Sequence, residues 1–110
     1  MKLYVVRHGE TIWNSEGRVQ GITDIPLTEK GRCDAMELIP LIKELNIDVV
    51  ISSPLERTIE TAKIITEGSM PINTDDRIKE RDWGLNEGAL IFTFSLILLQ
   101  ISIVSIRSIA

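Results

Sequence analysis

The segment VVRHGETIWN, residues 5–14, sets Arg7 and His8 side by side where an apolar run stops. His8 is the only histidine in the 110-residue chain. A neutral imidazole is a nucleophile that can attack phosphorus and carry the phosphoryl group. Like charge beside it disfavours the imidazolium form, so an arginine neighbour keeps it in the reactive state. A second arginine, Arg57, follows an apolar run and a serine pair, and Glu80 lies beyond a third strand-like stretch. Two guanidiniums can grip phosphate oxygens in bidentate forks. A carboxylic acid held near them can protonate a leaving oxygen. Taken together, Arg7, His8, Arg57 and Glu80 suit phosphoryl transfer, provided the fold brings them to one place.

The elements needed to do so are readable. Leu3 to Val6 is a short apolar run with β-branched members and predicts a buried strand. GRVQGITDIPLT is punctuated by Gly, Asp and Pro and predicts a loop. Thr28 is a fitting N-cap for a helix to about Leu45, with Ala35, Leu38, Ile39, Ile42 and Leu45 on one face. Pro40 interrupts that helix and costs ~3 kcal/mol unless the chain kinks there. IDVVI, residues 47–51, predicts a second buried strand. Ser53 and Glu56 fit a capping box with Pro54 at the first helical position. Leu55, Ile59, Ala62, Ile65 and Thr66 give the following helix its buried side, and INTDD is a weaker third strand.

Strand, helix, strand, helix, strand is the order of an α/β fold with a mostly parallel sheet. In such sheets the strand carboxyl ends share one edge, where a crevice forms. Arg7 and His8, Arg57 and Glu80 each follow a strand, so all four are expected at that edge. Gly9 permits the tight turn there, and the first turn after Ser53 brings a positive helix end.

Composition narrows the rest. The net charge of −4 gives no electrostatic case for nucleic acid. A single cysteine, Cys33, excludes an internal disulfide and a CxxC metal site, and reads as a small half-buried helix residue. Asp75, Asp76 and Asp82 form no convincing metal set and read as solvated charges. Trp13 and Trp83 read as packing residues. The N-terminal apolar run is too short for a signal peptide, which makes a cytoplasmic location the default expectation.

The charge distribution breaks at Gly88. Residues 1–88 hold all 16 acidic residues and every basic residue but Arg107. This divides the chain into residues 1–88 and an atypical apolar tail, residues 89–110. From Ala89 to Ile106 there is no charge, and a helix of that length spans roughly 27 Å, close to a bilayer core. Five polar residues within it and the lack of a basic flank weigh against a membrane anchor. A buried strand pair is a second reading. The third, which we prefer, is a foreign end that replaced the second half of the domain.

RHGETIWN, GRVQGITDIPLTEKG, ISSPLERTIETA and IKERDWGLNEG resemble, in that order and spacing, the motifs of the histidine phosphatase superfamily, which includes the cofactor-dependent phosphoglycerate mutases. The resemblance covers residues 1 to about 88. It implies a three-layer α/β/α fold of the phosphoglycerate mutase-like type, truncated here to its N-terminal half. It implies that His8 is the phosphorylated nucleophile and that Arg7 and Arg57 clamp the phosphate. By the same likeness Asn14 hydrogen-bonds the transferring group, Gln20 and Gly21 bind substrate, and Glu80 is proton donor and acceptor. The family needs no metal or cofactor, apart from a bisphosphorylated primer in the mutase branch. The implied partner is a small phosphorylated metabolite. GLNEG matches a phosphatase segment of the form G-x-x-E-G, which favours phosphatase over mutase. Two departures stand out: Asp34 replaces a usual glutamine, and no second histidine is present for the other half of the site. That loss leaves open a non-catalytic remnant.

Overall fold

The computed structural model describes residues 2–79, 82, 84–88 and 103–108. Strand β1 (Lys2–Arg7) is followed by a single helical turn, α1 (Ile12–Ser15). Helices α2 (Glu29–Glu37) and α3 (Ile39–Leu45) lead to β2 (Val49–Ser52). Helix α4 (Glu56–Ile65), β3 (Ile72–Thr74) and two 3-10 turns, Asp76–Ile78 and Gly84–Asn86, complete the first 88 residues. A fourth strand, β4 (Ile103–Ser108), lies in the apolar tail.

The expected strand and helix order holds, with local differences that have physical causes. The helix predicted over residues 28–45 is two helices. It breaks at Leu38, and Pro40 falls in the first turn of α3, where its missing N–H has no intrahelical partner to lose. Thr28 caps α2 as expected, its Oγ1 accepting from Gly31 N at 3.0 Å. Ser53, by contrast, is not the cap of α4. Leu55 holds that position without a side-chain bond, and the carboxylate of Asp24, from the distant loop, accepts from Glu56 N at 2.8 Å. The hydroxyl of Ser53 turns inward to Thr58 instead. Cys33 is exposed rather than half-buried.

The sheet order is β1-β4-β2-β3. β2 and β3 are parallel, and β4 runs antiparallel to both its neighbours, β1 and β2. Three of the four strands among the described residues therefore point the same way, as a mostly parallel α/β sheet requires. Ile106 sits between Tyr4 on one side and Val50 on the other. The tail thus supplies an inner strand. It uses residues 103–106, four of the 18 that a membrane span would need. The remainder of that span lies outside the described residues, among which no helix is long and apolar enough to cross a membrane.

Helices α2, α3 and α4 pack on one face of the sheet. Ala35, Ile42, Val50, Ala62 and Ile65 form the buried cluster, joined by Tyr4 and Val6 from β1. Leu3 and Val5, the alternate residues of β1, are exposed on the other face, as the two-residue strand period demands.

Candidate active site

β1 and β2 run in the same direction, so Arg7–His8 and the Ser52–Arg57 turn emerge at one edge. There a cavity of about 290 Å³ is lined by Arg7 at the end of β1, by His8, Glu10 and Asn14 from the segment after it, by Asp34 and Leu38 from the α2 side, and by Thr61 of α4.

His8 is buried. Its Nδ1 lies 2.5 Å from the carbonyl oxygen of Gly9. A carbonyl can only accept, so Nδ1 carries the proton and the lone pair sits on Nε2. That Nε2 is buried and has no hydrogen-bond partner among the described residues. Its pKa is lowered from 6.5 to about 4, chiefly by burial; the Gly9 carbonyl opposes this, and the Arg57 and Arg7 charges add to it. The expectation that arginines keep the imidazole neutral is therefore right in direction, but burial is the larger cause. At neutral pH His8 is an uncharged base with an available lone pair, the state a phosphoryl acceptor needs.

Two glycines allow this loop to sit where it does. A Cβ on Gly9 would come within 2.9 Å of the carbonyl carbon of Gly31, and one on Gly31 within 2.7 Å of Glu10 N. Segment 9–11 therefore lies backbone to backbone on the first turn of α2. Thr28 N donates to Glu10 O at 2.9 Å, and Thr11 bridges to Leu27. The signal for Gly31 was present in LTEKG, but only as a helix-interior glycine.

Thr11 organises the next turn. It caps α1 in a reciprocal box with Asn14: Thr11 N donates to Asn14 Oδ1 at 3.0 Å, and Asn14 N donates to Thr11 Oγ1 at 3.2 Å. With its carboxamide oxygen engaged, Asn14 keeps its NH₂ donors for a ligand, the right polarity for phosphate oxygens. Thr11 Oγ1 also donates to Gln20 Oε1. Gln20 is buried, and its Nε2 has no hydrogen-bond partner among the described residues.

Arg57 is fully buried. Its guanidinium donates to the carbonyl of Thr23 at 2.9 Å and to that of Gly21. Thr23 in turn gives both its N–H and its hydroxyl to Glu87, at 2.7 and 2.6 Å. Gly88 N reaches Val19 O at 2.8 Å, and Arg18 reaches Gly88 O at 2.7 Å. The GLNEG segment is thus stitched to the 18–23 loop, and that loop to Arg57.

The geometry brings Arg7, His8 and Asn14 onto one cavity wall, with Arg57 close enough to act on the His8 charge. Gln20, Gly21 and Arg57 do not line the cavity; they form the layer supporting it. Glu80 and Trp83 lie outside the described residues. Thr11, Gly31 and Thr61, none singled out from the sequence, hold the wall together, and Glu87, the glutamate of the GLNEG segment, ties that segment to the loop behind it.

Comparison with known proteins agrees with this arrangement. The family model for the histidine phosphatase superfamily (branch 1) matches residues 3–94. The chain belongs to the histidine phosphatase superfamily. A curated relative, the probable phosphoglycerate mutase GpmB of Cronobacter sakazakii, is 45% identical over 96 residues, which is 86% of this chain and 45% of the relative. Among solved structures, the phosphoserine phosphatase of Entamoeba histolytica in complex with 3-phosphoglyceric acid is 40% identical, with a TM-score of 0.72 over 81% of this chain and 44% of its own. A mycobacterial glucosyl-3-phosphoglycerate phosphatase complexed with VO3 gives a TM-score of 0.76 at 29% identity, covering 82% of this chain and 46% of that one. The chain spans less than half the length of each of these superfamily members.

Proposed function

We propose that this chain captures a small phosphomonoester and transfers its phosphoryl group to His8, the first half of a histidine phosphatase reaction. The observation that carries this reading is His8 itself: buried, neutral, protonated on Nδ1, with an unpartnered Nε2, and lining a cavity together with Arg7 and Asn14. The Nε2 lone pair forms the N–P bond as the ester P–O bond breaks. The departing oxygen takes a proton, a role we assign to Glu80. Water then attacks phosphorus, the N–P bond breaks and inorganic phosphate leaves. Arg7 and Asn14 hold the phosphoryl oxygens. Arg57 adds charge from behind the wall and keeps the 18–23 loop in place.

The catalytic turnover of this chain should be slow. The family's second histidine, which stabilises charge on the transferring group, has no counterpart in the sequence. Losing one preorganised donor typically lowers kcat by ~10²–10³. Phosphorylation of His8 should therefore be easier to detect than turnover. We expect acid-labile phosphate on the chain after incubation with p-nitrophenyl phosphate, and none on His8→Ala. A chain that takes up no phosphate under any substrate tested would overturn the reading.

A second reading follows from the name of the curated relative. An isomerase of the mutase type would return the phosphoryl group to a second oxygen of its substrate, and would require a bisphosphorylated primer. Release of inorganic phosphate that does not depend on such a primer favours the phosphatase.

A further inference from the structure

We propose that Thr61 is a positioning residue that sets the tautomer of His8 by holding the Gly9 peptide on the helix that carries Arg57.

Thr61 lies one turn beyond Arg57 on α4, on the same face, and is 1% exposed. Its hydroxyl donates to the carbonyl of Arg57 at 2.7 Å. It accepts from Gly9 N at 3.1 Å. These directions cannot exchange, because a carbonyl has no proton to give and a peptide N–H has no lone pair to offer. The single hydroxyl proton is used on α4, and the lone pair faces the loop after β1.

Both polar groups of Gly9 are thereby engaged. Its N–H is fixed to α4 through Thr61, and its carbonyl receives the proton of His8 Nδ1. Its Cα is pressed against Gly31 from a third side. The Gly9 carbonyl can select the Nδ1–H tautomer only while it points at the ring. Thr61 is the one polar side chain among the described contacts that ties this residue to α4, 52 positions away. Helix α4 therefore orients the nucleophile and the second arginine together, so both move as one unit relative to a bound anion.

This inference rests on the reading of His8 as phosphoryl acceptor, but its test does not. The chain has one histidine, so ¹⁵N-histidine labelling gives a single imidazole, whose two nitrogen shifts report the tautomer directly. In the unmutated chain and in Thr61→Ser we expect the Nδ1–H form at neutral pH. In Thr61→Val, which replaces the hydroxyl by a methyl of similar size, we expect mixed tautomers. Affinity for vanadate should fall by roughly tenfold, the scale of one unsatisfied buried N–H. If Thr61→Val does not fold, Thr61→Ala carries the same expectation. In the unmutated chain the Gly9 amide should exchange slowly with solvent. A folded Val or Ala variant that keeps the Nδ1–H tautomer would overturn the proposal, as would fast exchange at Gly9. If no phosphohistidine forms in the unmutated chain, the functional reading fails while the tautomer result still decides the role of Thr61.

Discussion

Gly9 and Gly31 bring two backbones together: a Cβ on Gly9 would strike the Gly31 peptide, and a Cβ on Gly31 would strike the backbone of Glu10, next to Gly9. One belongs to the loop that carries the nucleophile, the other to the first turn of α2. Neither atom set is the flexible end of a side chain, so neither can yield without moving an element. Gly31→Ala should shift the loop or the helix, at a cost of about 1–3 kcal/mol or more, as for other overpacked sites. Alanine would otherwise favour the helix, so a loss of stability identifies the contact as the cause. Urea denaturation of the variant beside the unmutated chain measures it.

Burial of a neutral histidine makes stability depend on pH. His8 has a folded pKa of about 4 against an ordinary 6.5. Between those values the unfolded chain binds a proton that the folded chain refuses, so stability rises with pH across that window. The contribution is fully present above about 6.5 and is lost as pH falls through 4. At its limit it is on the order of 3 kcal/mol. In His8→Asn this part of the pH dependence should vanish. Denaturation midpoints from pH 4 to 7 for both proteins check it.

Arg57 has two duties that one substitution should expose together. Arg57→Ala leaves the carbonyls of Gly21 and Thr23 without their donor, and removes a positive charge near His8. We expect a stability loss of about 1.5–3 kcal/mol, the scale of a hydrogen bond to a charged group, and weaker vanadate binding. Calorimetry gives both. Arg7→Ala, at an exposed strand end, should weaken anion binding with a much smaller effect on the melting temperature.

Asp34 lines the cavity and is exposed at its edge. Its carboxylate opposes an incoming anion through solvent. Asp34→Gln should tighten phosphate or vanadate binding by about 0.5 kcal/mol, since exposed charges interact weakly in water. The gain should shrink as salt is raised. Titrations at two ionic strengths test both points.

β4 joins the two halves of the site: β1 carries Arg7 and His8, β2 leads to Arg57, and each pairs with β4. Ile106→Pro would remove an N–H from an inner strand, a substitution that sheet interiors do not accommodate. We expect loss of cooperative melting and of vanadate binding. A variant that melts like the unmutated chain would show that β4 is dispensable.

What the sequence made legible was largely local. The apolar run of β1, the Thr28 cap, the break near Pro40 and the amphipathic α4 all follow from neighbours within a few positions. His8, Arg7 and Asn14 share a cavity wall because all three lie at the end of β1 or on the turn that follows it, and that too was readable. The misreadings are long-range. Ser53 had the right spacing for a cap, but Asp24, 32 residues away, reaches Glu56 first. Gly31 and Thr61 acquire meaning only when the Gly9 loop docks on two helices at once. The tail's strand does alternate, Val104 and Ile106 with Ser105 and Arg107, but it ends a long run rich in apolar residues that fits a helix as well as a strand.

The position of β4 also sets an order of events in the making of the protein. Lys2 pairs with Ser108, and Arg7 with Ile103. β1 must therefore wait for about a hundred further residues before this partner exists. At ~5–20 residues per second that interval is about 5–20 s. During it, β1 offers an unpaired edge and the exposed side chains of Leu3 and Val5 to whatever the ribosome's surroundings provide.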